Sequence, residues 1–296
     1  VYSLERIVAE IQNGLDFLET NLRDIPERHR SIRAVFEWTW GLLTQAERDV
    51  FMKLSVFRNG CTLSATEVIA GATPRILQSL ISKALVYRDQ TGRYFLHELL
   101  RQFGEEQLYH LDDVNHLTRD DHASYYADIA EQIMSNQLSA KQGEVELENL
   151  YATWYWAVDT LNIDLLWRYV STYGIISYQF GYFSEMKIIY DYAIDKLSLH
   201  EADYPHLLGS MVYVSASLYA YLLDLDKVQI QISRGQALFA KVDWTGARRE
   251  IVYSHYHLAL AFRRLDYNVS LRIVKQIASV LESLDLSADR IGLTMQ

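Results

Sequence analysis

The sequence predicts a mainly α-helical protein with one small β-hairpin, and two observations support this fold class. The 296 residues include only three prolines and 13 glycines, and so few helix breakers favour helices joined by short connections. Helix-start signals and apolar residues at helical spacing recur along the chain, whereas β-forming runs flank only one turn. Half of the residues are hydrophobic, and a chain of this length suggests about two domains.

Helix starts are visible in the first third of the chain. The segments Thr44–Glu47 and Ser64–Glu67 each place a hydroxyl three residues before a glutamate, the pattern of a capping box. Thr73 precedes Pro74, and proline is favoured at the first helical position because its missing N–H costs nothing there. The predicted helices span residues 31–43, 45–56, 65–71 and 74–84.

A hairpin and a further helix follow these helices. The runs Leu85–Arg88 and Arg93–Leu96 contain β-forming residues and flank a turn that ends at Gly92, which suits a glycine in the left-handed conformation. One face of the next helix carries apolar side chains, namely Leu99, Leu100, Phe103 and Leu108. Several helices followed by a two-stranded hairpin predict a winged-helix domain over residues 31–110.

Charge argues against direct DNA binding by this domain. Winged helices often bind DNA through the helix before the hairpin and through the hairpin itself. Those elements carry four dispersed cations, Arg75, Lys83, Arg88 and Arg93. Residues 31–110 hold nine basic and eight acidic side chains, and the whole chain has a net charge of −10. A DNA-binding surface usually clusters its lysines and arginines, so direct DNA binding is not expected.

The remainder is predicted to be a superhelical array of tetratricopeptide-like helix pairs. Similar segments begin at Gly181, Leu225 and Leu265, at spacings of 44 and 40 residues, and each follows another helical segment. The spacing exceeds the standard 34 residues, so the repeats are elongated. We expect the array to be cut short by the end of the sequence. The predicted domains are residues 1–30, 31–110, 111–145 as a helical connector and 146–296 as a repeat sensor.

Aromatic residues concentrate where the repeats begin. Eleven of the 33 residues between 151 and 183 are aromatic. They are interpreted first as fillers of the grooves between stacked helices. Alternatively, some of them line a surface that receives a partner, because tyrosine and tryptophan are frequent binding anchors. The candidate partner surface consists of Tyr151, Trp154, Tyr155, Tyr178 and Tyr182.

No catalytic or metal-binding pattern is present. His97-Glu98 begins like the zinc-protease pattern H-E-x-x-H, but Arg101 stands where the second histidine is needed. His255 and His257 are two residues apart on a predicted helix and therefore point in different directions. The single cysteine, Cys61, is interpreted as a small buried side chain.

Four parts of the sequence resemble a known family. Residues 23–71, 76–86 and 94–108 resemble the winged-helix segment after the nucleotide-binding module in STAND ATPases of the NB-ARC type. These proteins are multidomain signalling switches and include bacterial transcription regulators. Residues 146–158 are similar to the helix that opens the repeat sensor in bacterial members. The resemblance implies that residues 1–30 are the end of a helical subdomain and a linker after an ATPase core.

The resemblance assigns a role to one triplet. Leu96-His97-Glu98 matches the Met-His-Asp motif of the family, in which the histidine contacts the β-phosphate of ADP and holds the inactive state. His97 would be the nucleotide sensor and Glu98 an orienting carboxylate. The alternative is that His97 only caps or packs the junction between strand and helix. No phosphate-binding G-x-x-x-x-G-K-[ST] loop is present, so this chain is expected to be neither an enzyme nor a holder of cofactors.

Partners follow from the same resemblance. The parent protein would bind ADP or ATP with Mg²⁺, and the expected partners are its own upstream NTPase domain and an inducer on the repeats. No membrane partner is expected, because no apolar stretch reaches the ~18 residues of a membrane span, and the single cysteine fits a reducing cytoplasm. Two rival functions stay open: a DNA-binding transcription regulator that uses the winged helix, and a non-switching repeat scaffold for other proteins.

Overall fold

The computed structural model describes residues 32–135 and 137–240. These residues are mainly helical, with one two-stranded antiparallel hairpin, and the predicted fold class is thereby confirmed. The chain divides into two compact units between Tyr125 and Tyr126. The predictions for residues 1–30, for the two histidines at 255 and 257, and for the repeat that begins at residue 265 lie outside the described residues.

The first unit has the element order that the sequence predicts. Its elements are α1 Ile32–Gly41, α2 Gln45–Leu54, α3 Leu63–Ala70, α4 Pro74–Ser82, β1 Tyr87–Arg88, β2 Tyr94–Phe95 and α5 Glu98–Tyr109. A long helix, α6 Asp112–Met134, begins in this unit and ends in the second.

Two of the three predicted helix starts are confirmed, and the third is wrong. The Thr44 hydroxyl accepts from the Glu47 N–H, while the Glu47 carboxylate accepts from the Thr44 N–H at 2.8 Å. The Thr73 hydroxyl caps α4, with Pro74 at its first position. Helix α3, however, is capped by Thr62, which accepts from the Ala65 N–H. Because that cap starts the helix earlier than predicted, Ser64 lies inside the first turn and no box forms there.

The hairpin lies where it was predicted, with shorter strands. Tyr87 pairs with Phe95, and Gly92 has a φ of +89°, the left-handed conformation that a side chain disfavours. Cys61 is buried and forms a β-bridge with Tyr94. The bridge ties the hairpin to the chain between α2 and α3.

Helix α5 is fixed to the core of the first unit by its buried face. Phe103 and Leu108 are buried, and Gly104 lies against α2, where an added Cβ would come within 3.2 Å of the Ser55 Cβ. The Phe103 ring also contacts Phe36 and Trp40 of α1 at centroid distances of 5.8 and 5.9 Å. This packing holds the start of α5 directly after the hairpin.

The second unit consists of helices in its described part. They are α7 Ala140–Glu144, α8 Leu147–Asp159, α9 Ile163–Phe180, α10 Phe183–Ser198, α11 Pro205–Tyr221 and α12 Leu225–Phe239. Helices α10 and α12 begin at the predicted repeat segments, and each follows another helix. Helix α8 packs against α10, and α9 packs against α11. Helix α11 is buried on all sides between Leu207 and Ala220.

Candidate functional site

His97 is the N-cap of α5, at the junction of hairpin and helix. Its backbone is extended, with φ −63° and ψ 143°, and its Nδ1 accepts from the Leu99 N–H at 3.4 Å. The side chain is exposed, whereas that of the preceding Leu96 is half-buried. Because Nδ1 is the acceptor, the neutral ring carries its proton on Nε2. Nε2 makes no hydrogen bond to any described residue, so it can donate to a group outside this unit.

The neighbouring Glu98 is held by an arginine one turn further along α5. The guanidinium of Arg101 donates from Nε and Nη2 to the two Glu98 oxygens, both at 2.8 Å. Gln102 donates to the same carboxylate at 3.0 Å. The hydrogen bond from Arg101 lowers the pKa of Glu98 below its ordinary value. Arg101, which replaces the second histidine of the zinc pattern, therefore fixes Glu98 in position.

Glu105 of α5 forms ion pairs with arginines from three parts of the first unit: the segment after α2, α5 itself and α6. Its carboxylate lies 3.1 Å from Arg58, 2.5 Å from Arg101 and 2.7 Å from Arg119. Burial by itself would raise the pKa of Glu105, but the three guanidinium groups outweigh it and lower the pKa to about 2. This network is not predicted from the sequence, although the spacing of Arg101 and Glu105 is that of a helical ion pair.

This junction is suited to an anionic oxygen. A helix N-terminus carries a partial positive charge and free N–H groups, which favour phosphate and carboxylate groups. The exposed His97 adds a donor at that end of α5. Within residues 32–135 and 137–240, no group of three or more His, Cys, Asp or Glu side chains could hold a metal ion. The geometry therefore fits recognition of an anion.

Most cations of the helix–hairpin surface make internal contacts. Lys83 forms an ion pair with the buried Glu47 at 2.5 Å. Arg93 donates to the Gly60 carbonyl at 3.1 Å, and Arg88 donates to the Gly92 carbonyl at 3.3 Å. Arg75 is exposed, and it makes no hydrogen bond or ion pair with a described residue. Three of the four cations in the predicted DNA-contacting elements therefore make contacts within the first unit, and Arg75 does not.

The structure separates the predicted aromatic surface into core and exterior. Trp154 is completely buried, and its Nε1–H donates to the Ile189 carbonyl at 3.0 Å. It therefore belongs to the core and offers nothing to a partner in this conformation. Tyr151, Tyr155 and Tyr182 are half-buried. Tyr178 lies in α9, and its side chain is outside the described residues.

A fourth tyrosine joins the three accessible ones. The Tyr192 ring of α10 packs edge-on against Tyr155 of α8, with centroids 5.0 Å apart. Tyr151 and Tyr155 are four residues apart and share one face of α8, while Tyr182 is the N-cap of α10. We call Tyr151, Tyr155, Tyr182 and Tyr192 the tyrosine face. It spans two adjacent helices, which sequence patterns alone do not bring together.

The chain is similar to predicted HTH-type transcriptional regulators of mycobacteria. Relatives from Mycobacterium bovis and from Mycobacterium tuberculosis strain H37Rv are each 28% identical to it over 167 residues. The match covers 50% of this chain and 19% of each relative, so the chain corresponds to a small part of those proteins. No family model matches the chain, and no solved structure matches it.

The described residues include no helix that is both long and apolar enough to span a bilayer.

Proposed function

We propose that this chain is the regulatory part of a STAND-type signalling ATPase that controls transcription. The winged-helix unit would hold the ADP-bound, inactive state, and the tetratricopeptide-like helix pairs would bind an inducer. The observation that carries the proposal is the position of His97: an exposed N-cap whose Nδ1 is bound to the Leu99 N–H and whose Nε2 makes no hydrogen bond to a described residue. That position suits a donor to a phosphate on a neighbouring domain.

The residues beside His97 would have supporting roles. The upstream NTPase core of the parent protein would supply the phosphate-binding loop and the Mg²⁺ site. His97 would donate from Nε2 to a phosphate oxygen, while its Nδ1 stays bound to the Leu99 N–H. Glu98, fixed by Arg101, would keep the first turn of α5 rigid. Leu96 would anchor the junction through its half-buried side chain. The isolated chain would not hydrolyse nucleotide.

The mycobacterial relatives support a role in transcription, since they are described as HTH-type regulators. In the proposed arrangement, DNA contact would belong to another part of the parent protein. Binding of an inducer to the repeats would favour the state in which ADP exchanges for ATP, because a ligand shifts an equilibrium towards the state that it binds better.

The test is the nucleotide content of the parent protein, purified with its upstream ATPase region. Wild type is expected to retain ADP, and His97→Ala is expected to lose ADP or exchange it for ATP. His97→Ser separates sensing from capping, because serine is a good N-cap but lacks the reach of an imidazole. His110→Ala is the matched control, since His110 is the exposed C-cap of the same helix. Equal ADP in all four proteins would contradict the proposal.

A second candidate is direct DNA binding through the winged helix, which the description of the relatives favours. It requires phosphate contacts from α4 and the hairpin. Arg75 is the position to change, because Lys83 is engaged by Glu47 and its loss would disturb the fold. Salt-dependent binding of duplex DNA by this chain, weakened by Arg75→Ala, would support this candidate. We expect no such binding.

A further inference from the structure

The tyrosine face is bordered by carboxylates. The Tyr182 hydroxyl donates to Glu144 at 2.8 Å, and the Tyr192 hydroxyl donates to Asp159. Further acids lie on the same helical faces as these tyrosines, namely Glu148 of α8 together with Glu185 and Asp195 of α10. All five carboxylate residues are exposed. The face therefore combines aromatic rings with negative charge.

One corner of the face already holds a cation of the chain itself. The ammonium of Lys196 lies 5.4 Å from the centroid of the Tyr192 ring and 3.1 Å from the carboxylate of Asp159. A cation over an aromatic ring gains from the negative charge on the ring face, and the carboxylate adds an ion pair. This corner is an internal example of the chemistry that the face provides.

The part of the face around Tyr151 has the same combination of ring and carboxylates, but no lysine or arginine of the described residues contacts it. Glu148 lies one turn before Tyr151 on α8, and Glu185 lies in the first turn of α10, the helix that packs against α8. Burial, together with the charges of Glu185 and Glu148, raises the pKa of the Tyr151 hydroxyl. Glu148 and Glu185 make no ion pair with any described residue. The Tyr151 hydroxyl likewise makes no hydrogen bond within residues 32–135 and 137–240. A ring flanked by two carboxylates is therefore available to a cation from another molecule.

We infer that the tyrosine face binds a segment of a partner protein that is rich in lysine or arginine. One cationic side chain would lie over Tyr151 between Glu148 and Glu185, as Lys196 lies over Tyr192 beside Asp159. Charge complementarity selects this partner, because nucleic acids and anionic lipid surfaces would be repelled by the same carboxylates. The inference rests on the proposed role of the repeats as the inducer-binding part, and it gives the inducer a chemical class.

The experiment uses the full chain and a labelled 12-residue peptide of alternating glycine and arginine, with fluorescence anisotropy at low and moderate salt. Glu148→Gln/Glu185→Gln is expected to weaken binding about threefold or more, since each exposed ion pair contributes modestly. The matched control is Asp164→Asn/Asp226→Asn. It removes two acids that also lie in the first turns of helices of this unit, and it should change Kd by less than about twofold, because salt screens distant charges.

A second pair of variants tests the ring. Tyr151→Phe keeps the aromatic face and should bind as wild type does, whereas Tyr151→Ala should weaken binding about two- to fivefold, the range of an exposed cation–π contact. The inference would be overturned if Glu148→Gln/Glu185→Gln and Asp164→Asn/Asp226→Asn weakened peptide binding equally. It would also be overturned if the wild-type chain bound no peptide detectably. Peptide binding with an unchanged nucleotide content in the His97 variants would overturn only the proposed switch.

Discussion

Gly209 of α11 lies directly against the Phe239 ring of α12. A Cβ added at Gly209 would come within 2.7 Å of the Phe239 Cε1. The relationship is reciprocal, because a Cβ added at Gly235 of α12 would come within 2.6 Å of the Tyr213 Cε1 in α11. A glycine of each helix thus packs against an aromatic ring of the other, and the two backbones approach closely. These two reciprocal contacts define α11 and α12 as one packed helix pair.

Gly209→Ala is therefore expected to loosen the pair. An extra methyl in a packed interior costs about 1–3 kcal/mol, which outweighs the ~1 kcal/mol that alanine gains over glycine in a helix. Hydrogen exchange across α11 and α12 should be faster in the variant. Gly41→Ala is the control, because an added Cβ meets nothing within 4 Å there. Unchanged exchange in Gly209→Ala would mean that the Phe239 ring moves aside without cost.

Glu105 makes the stability of the first unit depend on pH in a defined window. Its pKa is lowered from 4.5 to about 2, so its carboxylate stabilises the fold at neutral pH. That stabilisation is lost as the pH falls from about 4.5 through about 2. Glu105→Gln should lower the free energy of unfolding at pH 7 by about 1–3 kcal/mol, the range for hydrogen bonds to charged groups. The free energy of unfolding of this variant should also change less as the pH falls through this window.

Urea unfolding at several pH values checks this prediction. Glu67→Gln is the control, because Glu67 is exposed on α3 and makes no ion pair with a described residue. Parallel pH profiles for wild type and Glu105→Gln would contradict the assignment. In that case Arg58, Arg101 and Arg119 would contribute to the stability of the first unit through contacts with groups other than Glu105.

Local signals account for what the sequence predicted well. The Thr44 box, the Thr73 cap and the Gly92 turn each depend on residues within four positions of one another, and all three are present. The position of the Glu105 network was not predicted, because Arg58 and Arg119 approach Glu105 only after α2, α5 and α6 have packed. Composition could not separate buried from accessible aromatics for the same reason.

The misplaced start of α3 shows how a local signal can mislead and supplies a test. Two hydroxyl residues, Thr62 and Ser64, compete for the cap, and the structure uses Thr62. Thr62→Ala should cost about 1 kcal/mol of stability, as the loss of an N-cap usually does. Ser64→Ala should be neutral or slightly stabilising, because alanine is the better helix former. Thermal unfolding of the two variants distinguishes them. If Ser64→Ala were the more destabilising variant, the helix would be capped by Ser64, as the sequence predicted.

The aromatic-rich segment contains two kinds of side chain that mutation should separate. Trp154 is buried against Tyr190, with ring centroids 4.9 Å apart, and its Nε1–H is bound to the Ile189 carbonyl. Trp154→Phe should lower the free energy of unfolding by about 1–3 kcal/mol, because it removes that hydrogen bond and leaves space in the core. Tyr155→Phe keeps the half-buried ring, and its effect on stability should stay within about 0.5 kcal/mol.

The same two variants also distinguish the core from the binding surface. Urea unfolding measures stability, and the arginine peptide measures binding. Trp154→Phe should reduce stability without weakening the peptide complex under conditions where the protein is folded. Tyr155→Ala, which removes the ring beside Tyr192, should weaken the complex while leaving most of the stability. If Trp154→Phe weakened binding as much as Tyr155→Ala did, the tryptophan would have to become accessible, and α8 and α10 would have to separate when a partner binds.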